Sequence, residues 1–353
     1  MDDKDRTGRA VFRHEALSDF CTHVFERLGV PHDDALIIAD ALVMANLRGV
    51  DTHGVMRMTF YAAKLREGYI NPKVNLHPVR EMSATALIDG QNGMGQVVAY
   101  RAMETAILKA KTFGVSYVAV RNSNHFGTCG HYAMMALSHE MIGIVATNGQ
   151  AHLAPTGGAE KMLGNNPWSV AVPAGDRLPV VLDMANSIAA MGKVRMAIKE
   201  GKAIPRDWAL NKEGEPTTDP QEALQGILLP IGGYKGYGIT LMMDLLTGVL
   251  ANSAFGPRVR GTDVVSDIAG VGHSFMALNI VAFDRMDAFK ARMDAYIDEI
   301  KGSRKAKGVS EIYLPGELEF MKERERRQQG IPLPLKVVED LLGIGKEIGV
   351  SLV

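Results

Sequence analysis

The chain has 353 residues, of which 46% are hydrophobic and 22% charged, and its formal net charge is −1. This composition is that of a globular protein of about two domains, and it excludes a strongly basic surface for nucleic acid. The two cysteines, Cys21 and Cys129, exclude a disulfide framework and a C-x-x-C metal or redox motif.

The sequence gives no sign of export or of membrane insertion. Its first residues are charged and lack the apolar core of a signal peptide. The most apolar stretch, residues 238–255, is interrupted by Asp244 and Asn252, which makes it too polar for a membrane span. Together with the two thiols, this predicts a cytoplasmic protein with neither nucleic acid nor a membrane among its partners.

The first part of the chain is predicted to be helical. Apolar residues recur at helical spacing over 14–29 and 33–47, and Gly29 ends the first of these segments. A third helix is predicted over 55–67, followed by Gly68 and an Asn-Pro break.

From residue 84 onward, strands and helices alternate. This alternation, clearest between residues 84 and 185, indicates an α/β architecture. Strands are predicted over 84–90, 115–123, 142–148, 169–175, 178–185 and 274–283, and helices over 96–114, 130–141, 236–256 (as a buried helix) and 286–302. Residues 203–224 are predicted to be a polar excursion, and the charged run 321–330 to be only a solvated helix face.

The stretch 51–57, DTHGVMR, combines residue types that suit proton transfer and anion binding. His53 has the side chain whose pKa suits proton transfer near neutral pH, and Arg57 can bind a carboxylate through two parallel hydrogen bonds. On one helix, the two would share a face. The alternative is a helix capped by Thr52 with two surface polar residues, and spacing alone favours that alternative.

A second histidine, His125, follows a predicted strand and precedes a glycine-bearing loop, where α/β proteins place ligand contacts. A metal site would combine it with His131 and His139. The spacings of about six and eight residues match no standard zinc pattern, so no metal is predicted. A histidine-metal hydrolase is kept as the alternative of another enzyme class.

Two glycine-rich segments invite a nucleotide-binding interpretation. In residues 89–95 the order G-x-G-x-x-G fails, because Val98 stands where the third glycine is required. In residues 230–238, Lys235 lies among glycines ahead of a predicted helix, an arrangement that can bind an anion but is not a Walker loop.

Six motifs in order give the chain a family resemblance. They are DTHGVMRMTFYAAKLREGYINP, VRNSNHFGTCGHY, TNGQAHLAPTGGAEKMLGNNP, LDMANSIAAMGKV, GGYKGYGITLMMDLLTGVLANSAFG and YLPGE. The chain resembles the malate/L-lactate dehydrogenase family that is unrelated to the Rossmann-type malate and lactate dehydrogenases. The resemblance covers about residues 12–350.

The resemblance implies an NAD(P)-dependent enzyme that interconverts a small 2-hydroxy acid, malate-like or lactate-like, and its 2-oxo acid. It implies an α/β fold with a mixed sheet in a non-Rossmann NAD(P)-binding domain, here residues 75–317. A helical domain would combine residues 1–74 with 318–353. It also implies a homodimer with sites near the subunit interface. NAD is favoured as the cofactor, with NADP as the alternative.

The family's site residues carry over to named positions. His53 corresponds to the proton donor and acceptor, His125 to the histidine that has this role in some members, and Arg57 to the ligand of the substrate carboxylate. Thr52 replaces the common serine, and Asn165 replaces a substrate-proximal threonine. The implied cofactor-binding residues are His125, Phe126, Gly127, Thr128, Cys129, Thr147, Asn148, Gly149, Asp183, Met184, Ala185, Lys235, Gly236, Leu314, Pro315, Gly316 and Glu317.

One departure bears on the substrate. In the branch that reduces cyclic imino acids of the piperideine-2-carboxylate type, an aspartate completes a proton relay where this chain has Lys193. This favours a 2-oxo acid substrate and leaves the imino-acid reductase as an alternative. A non-enzymatic sensor that binds a small acid or nucleotide on the same fold is a further alternative.

Overall fold

The computed structural model describes residues 4–5, 8–262 and 264–352. Its strands are short, and most belong to one sheet. They are β1 Lys4–Asp5, β2 Arg9–Phe12, β3 Pro78–Glu81, β4 Thr85–Asp89, β5 Val115–Ser123, β6 Met141–Thr147, β7 Trp168–Val172, β8 Val180–Met184, β9 Ala209–Leu210, β10 Pro216–Thr217, β11 Ile227–Leu228, β12 Val271–Asn279 and β13 Ile331–Pro334.

Helices surround the sheet and form most of the two ends of the chain. They are α1 His14–Arg27, α2 His32–Leu47, α3 Met58–Arg66, α4 Gly95–Phe113, α5 Cys129–Met135, α6 Met191–Glu200, α7 Pro220–Gln225, α8 Tyr234–Asp244, α9 Met286–Gly302, α10 Glu317–Gln329 and α11 Leu335–Ile348.

The main sheet is mixed, with seven strands in the order β3-β4-β5-β12-β6-β7-β8. Only β4 and β5 pair in parallel among these strands, whereas β12 runs antiparallel to both of its neighbours, β5 and β6. A doubly wound Rossmann sheet is built from parallel strands with helical crossovers. The predicted α/β class with a mixed, non-Rossmann sheet is therefore confirmed.

Four hydrophobic clusters lie within the described residues, the smallest being Val259, Ala269 and Val271. The first joins α1, α2 and α3 to α11, with Phe20, Leu42 and Leu341 among its members, so the two ends of the chain pack on each other. The second lies between the sheet and α4 and α5. The third is small and packs α6 and α7 on Leu153 and Leu228. The residues predicted as a polar excursion therefore fold into a small unit with its own core.

The predicted helix over 55–67 begins differently from expectation. Residues 51–53 and 55–57 form two single 3₁₀ turns, and the α-helix α3 starts only at Met58. The backbone between the turns is extended at Gly54 (φ −86°, ψ −153°). His53 and Arg57 are therefore not on one continuous helix, and the argument from i, i+4 spacing does not apply to them.

The predicted buried helix over 236–256 is wrong in two respects. Helix α8 continues into a π-helical turn at Leu245–Val249, and its apolar side chains are partly exposed. The exposed ones recur at a spacing of three and four residues and include Ile239, Met242, Leu246 and Val249. Such a stripe is the pattern of a helix that packs against another element.

Candidate active site

The loop that carries His53 is held in place by a buried asparagine of α2. The Asn46 Oδ1 accepts a hydrogen bond from the Val55 N–H at 2.8 Å, and its Nδ2 donates to Asp51 Oδ1 at 2.7 Å. A Cβ on Gly54 would come within 2.1 Å of Asn46 Oδ1. Glycine is therefore required at position 54 so that the loop can close over this amide.

The same loop is fixed by α10 from the far end of the chain. The Arg326 guanidinium donates to both Asp51 carboxylate oxygens, at 2.6 and 3.1 Å, and also to the Asn46 carbonyl. Arg326 is 8% exposed, and one turn earlier Glu323 accepts from the buried Arg48 at 3.3 Å. The prediction that residues 321–330 form only a solvated face is wrong, because Arg326 binds the His53 loop and Glu323 pairs with the buried Arg48.

Thr52 contacts His53 instead of capping a helix. Its hydroxyl lies 3.0 Å from His53 Nδ1, and the 3₁₀ turn at 51–53 has no side-chain cap. The interpretation of Thr52 as an N-cap is therefore wrong, whereas its hydroxyl does lie beside the candidate proton carrier. Arg57 lies at the start of α3, with its guanidinium 5.7 Å from the centre of the Phe60 ring.

The structure brings the two candidate histidines side by side. His125 lies in the loop after β5, and its ring stacks on that of His53 with the centroids 5.5 Å apart and an interplanar angle of 23°. The Tyr61 hydroxyl of α3 lies 2.6 Å from His125 Nδ1. Three segments, the His53 loop, α3 and the loop after β5, thus converge on one pair of imidazoles.

Next to His53 opens a cavity of about 530 Å³, a volume within the range of small-molecule and cofactor pockets. It lies between the end of α2, the start of α5, strand β8 and the segment before α10. The predicted site residues in its wall are His53, Gly127, Thr128, Cys129, Asn165, Asp183, Met184, Ala185, Leu314, Pro315 and Gly316. Segments far apart in sequence therefore meet around one space.

Several predicted cofactor residues do not line the cavity and instead pack beside its wall. The Phe126 ring is buried between Tyr132 and His273, with ring centroids 4.8 and 4.6 Å away. The Thr147 hydroxyl lies 2.8 Å from His273 Nδ1. The Asn148 amide donates to the Ala254 carbonyl at 2.8 Å. These side chains fix the backbone near the site.

Gly149 and Glu317 lie outside the cavity wall and contact residues in it or next to it. The Gly149 N–H donates to Asn166 Oδ1 at 3.1 Å, which places Gly149 next to Asn165. Glu317 accepts from Lys301 at 2.6 Å and from the Leu314 N–H at 3.0 Å, and so fixes the segment 314–316.

The last two predicted cofactor residues lie at the start of α8. Lys235 is exposed there, outside the wall of the 530 Å³ cavity. A Cβ on Gly236 would come within 1.9 Å of the Ile231 carbonyl oxygen. Gly236 therefore allows the chain to turn tightly before α8, and the role of both residues in cofactor binding stays a prediction.

Asp183 gives the cavity a titratable carboxyl. It is surrounded by protein on most sides but open to solvent through the cavity, and this desolvation raises its pKa to about 6. It accepts a hydrogen bond from the Gly130 N–H at 2.9 Å, and this bond lowers the pKa of Asp183, against the larger effect of desolvation. A Cβ on Gly130 would lie 2.7 Å from Asp183 Oδ2, so this contact requires glycine.

Sequence reasoning missed other residues of the site. Arg48, 9% exposed, lies in the cavity wall with its guanidinium 4.3 Å from the centre of the Phe320 ring. Glu319 also lies in this wall, as does Tyr313, the first residue of the YLPGE motif of the family resemblance. The one available signal was position, since Arg48 lies three residues before Asp51 of the 51–57 motif and Tyr61 follows Arg57 by four residues.

The histidines proposed for a metal site do not assemble into one. His131 Nε2 faces Asp40 at 3.7 Å, whereas His125 contacts Tyr61 and His139 is exposed. Within residues 4–5, 8–262 and 264–352, no three His, Cys, Asp or Glu side chains are arranged to hold a metal ion. No helix in that part of the chain is long and apolar enough to cross a membrane.

The model of the malate/L-lactate dehydrogenase family matches residues 12–342. The chain belongs to this family. It is 44% identical over 349 residues to a malate dehydrogenase of Pyrococcus horikoshii, with 96% of this chain and 95% of that protein covered. It matches the structure of a sulfolactate dehydrogenase from Methanocaldococcus jannaschii with a TM-score of 0.93 at 40% identity, covering 97% and 98% of the two chains.

Membership of this family confirms the predicted reaction class, an oxidoreductase of 2-hydroxy and 2-oxo acids, and overturns the hydrolase alternative. The family is also consistent with a nicotinamide cofactor. A Δ1-piperideine-2-carboxylate reductase from Pseudomonas syringae has a TM-score of 0.84 but only 24% identity, covering 95% of this chain and 99% of that one. Its likeness therefore shows a shared fold and carries no argument for an imino-acid substrate.

Proposed function

We propose that the protein is an NAD-dependent dehydrogenase of a small, malate-like 2-hydroxy acid. The observation that carries this proposal is the stacked pair His53 and His125 beside a cavity whose wall contains most of the predicted cofactor segments. The relatives named as malate and L-sulfolactate dehydrogenases support a substrate with a second anionic group, because malate and sulfolactate both have one.

In the proposed mechanism, Arg57 binds the substrate carboxylate through its planar guanidinium and orients C2 toward the cavity. His53 removes the proton of the C2 hydroxyl during oxidation and returns it during reduction. Asn165, in the wall of the cavity, would contact the bound substrate. A bound nicotinamide supplies the hydride chemistry at C2.

The cavity wall supports NAD over NADP. The residues that would hold the cofactor are the backbone of 127–129, Asp183 and the segment 314–316. Two carboxyl groups, those of Asp183 and Glu319, face this space, and an anionic 2′-phosphate near them would be repelled. Among the described residues of this wall, Arg48 is the one arginine or lysine, and it already pairs with Glu323.

A homodimer is part of the proposal. The exposed apolar stripe on α8 and its π-helical turn gives a second copy of the chain a surface to pack on. A reducing, cytoplasmic location is also proposed, supported by two buried free thiols, Cys21 and Cys129.

The test is to follow NADH and NADPH oxidation with a panel of 2-oxo acids and one cyclic imino acid. We expect NADH oxidation with oxaloacetate or sulfopyruvate to exceed that with pyruvate. His53→Ala should slow turnover by about 10²–10⁴-fold, as loss of an acid–base group does. NADH binding without consumption by any acid would instead indicate a sensor and overturn the proposal.

A further inference from the structure

Behind the stacked histidines lies a tyrosine that no predicted role includes. Tyr61 is fully buried on α3, and its hydroxyl lies 2.6 Å from His125 Nδ1. Burial raises the pKa of Tyr61 to about 12, so the hydroxyl keeps its proton across the neutral range. A hydroxyl can donate or accept, and the distance alone does not give the direction of this bond.

A second contact to the same nitrogen gives the direction. The backbone N–H of Gly127 points at His125 Nδ1 with a separation of 3.4 Å. A backbone N–H can only donate, so Nδ1 presents its lone pair and has no proton. Tyr61 therefore donates to Nδ1, and the proton of the neutral ring lies on Nε2.

The surroundings of the Tyr61 hydroxyl agree with this direction. The side-chain amide of Gln96, fully buried at the start of α4, is close enough to lower the Tyr61 pKa, against the larger effect of burial. Neither polar atom of Gln96 makes a hydrogen bond of standard geometry within the described part of the chain. An N–H of this amide turned toward the Tyr61 oxygen would leave the hydroxyl proton directed at His125.

His53 is in a different situation. Its Nδ1 lies 3.0 Å from the hydroxyl of Thr52, an exposed residue whose hydroxyl can rotate to donate or to accept. His53 can therefore hold a proton on Nδ1 and exchange one at Nε2. With the ring centroids 5.5 Å apart, simultaneous positive charge on both imidazoles is unfavourable, so one ring of the pair carries the exchangeable proton.

We infer that Tyr61 is a positioning residue that holds His125 as the neutral Nε2–H tautomer, so that His125 donates a hydrogen bond to the substrate's C2 oxygen and His53 alone transfers the proton. This inference rests on the proposed function for the identity of the acceptor. In reduction, hydride adds to C2, the C2 oxygen takes one proton from the His53 imidazolium, and His125 keeps its own. The balance reverses in oxidation.

The tautomer is measured on the free protein, with selectively ¹⁵N-labelled histidine and long-range ¹H–¹⁵N correlation spectra. Protonated and unprotonated ring nitrogens differ widely in chemical shift, so the two sites of His125 can be told apart. We expect an unprotonated Nδ1 and a protonated Nε2 at neutral pH. A protonated Nδ1, or a doubly protonated ring, would overturn the inference even if the enzyme proved fully active.

Tyr61→Phe removes only the hydroxyl that directs the ring. We expect kcat to fall about tenfold with little change in KM, and a second ionisation to enter the pH profile as His125 becomes able to take a proton. The matched control is Tyr132→Phe, which removes another fully buried hydroxyl with a 2.6 Å hydrogen bond, to the Phe126 carbonyl. If both variants change the His125 spectrum and the pH profile alike, Tyr61 has only a structural role.

Side-chain replacement distinguishes the roles of His53 and His125. Glutamine can present an N–H donor near the place of an imidazole Nε2, but it cannot transfer a proton. We expect His125→Gln to keep at least about ten times the activity of His125→Ala, whereas His53→Gln and His53→Ala should be equally impaired. The opposite pattern would assign proton transfer to His125. If no 2-oxo acid is reduced at all, the proposed function is wrong. The tautomer of His125 is measured without substrate, so that measurement still tests the role of Tyr61.

Discussion

At the scale of single residues, the protonation of Asp183 changes the charge of the cavity wall with pH. Its carboxyl has a pKa raised to about 6, so it is charged at neutral pH and takes up a proton as the pH falls through that value. A carboxylate accepts hydrogen bonds from cofactor hydroxyls more strongly than a protonated carboxyl does. We predict that NADH affinity, measured by fluorescence titration, falls about tenfold between pH 7 and pH 5.

The variant Asp183→Asn supplies the comparison for this pH dependence. It keeps the size of the side chain and removes the titration, so its NADH affinity should be lower at pH 7 and nearly constant from pH 7 to pH 5. The preference for NADH over NADPH should narrow at the same time, because a negative charge has been removed from the cavity. A variant with the wild-type pH dependence would show that another group controls binding.

Arg57 carries a second prediction at this scale. Replacement by leucine removes the guanidinium that is proposed to bind the substrate carboxylate, and a lost charged pair of this kind costs about 2–5 kcal/mol. We predict a fall of at least about 30-fold in kcat/KM for 2-oxo acids, with NADH affinity unchanged. Arg57→Lys should recover part of the loss, since a lysine keeps the charge but not the paired hydrogen bonds. A variant that loses NADH binding instead would place Arg57 in the cofactor site.

The residues chosen from the sequence are those whose chemistry is distinctive. Histidine and arginine four positions apart suggested His53 and Arg57, although the helix that would have placed them on one face is absent. Tyr61 and Arg48 could not be chosen in this way, because a tyrosine in an apolar helix and an arginine at a helix end are ordinary. Their roles come from contacts with His125 and with Glu323, 64 and 275 positions away.

At the scale of elements, α10 fixes the loop of the candidate proton carrier. Arg326 reaches Asp51 with two hydrogen bonds, and both side chains are held close to the buried Asn46. Lysine keeps the charge but cannot form the paired bonds. We predict that Arg326→Lys lowers the free energy of unfolding by about 1–2 kcal/mol and lowers kcat/KM by about tenfold, as measured by denaturant unfolding and steady-state kinetics.

Arg324→Lys is the matched control for this prediction, because Arg324 lies on the same helix two positions earlier and is exposed. We expect it to leave both stability and activity within the experimental error. If Arg326→Lys changes neither quantity more than Arg324→Lys does, the positive charge at position 326 suffices and the paired hydrogen bonds to Asp51 are not needed.

Elements were predictable where local pattern and tertiary packing agree. Strand β5 and helix α9 lie within one residue of the predicted bounds, because β-branched alternation and helical periodicity are both strong there. Strands β2 and β13 were missed, since β2 is the central strand of a small sheet whose other strands are β1 and β13, and β13 lies more than 300 residues away. The π-helical turn after α8 has no distinct sequence pattern, so it was missed as well.

At the scale of the whole molecule, the site depends on pairings that no local pattern contains. The cavity wall combines the end of α2, the start of α5, strand β8 and residues 313–319. The family resemblance predicted that these segments bind one cofactor. The residue patterns alone gave separate motifs and no reason to place them together. The failed G-x-G-x-x-G pattern agreed with the non-Rossmann fold that the resemblance implied, and the observed strand order agrees with both.

The exposed stripe on α8 predicts an assembly larger than one chain. Ile239, Met242, Leu246 and Val249 are between 36% and 51% exposed, and burying them against a second copy would remove apolar surface from water. We predict that sedimentation at micromolar concentration gives twice the 38.2 kDa chain mass, and that the double substitution of Met242 and Val249 by glutamate gives the monomer. Met196→Glu, at a 58% exposed position of α6, should sediment as the dimer. If the double variant stays dimeric, another face of the molecule forms the interface; if the unchanged protein sediments as a monomer, the stripe has a different partner.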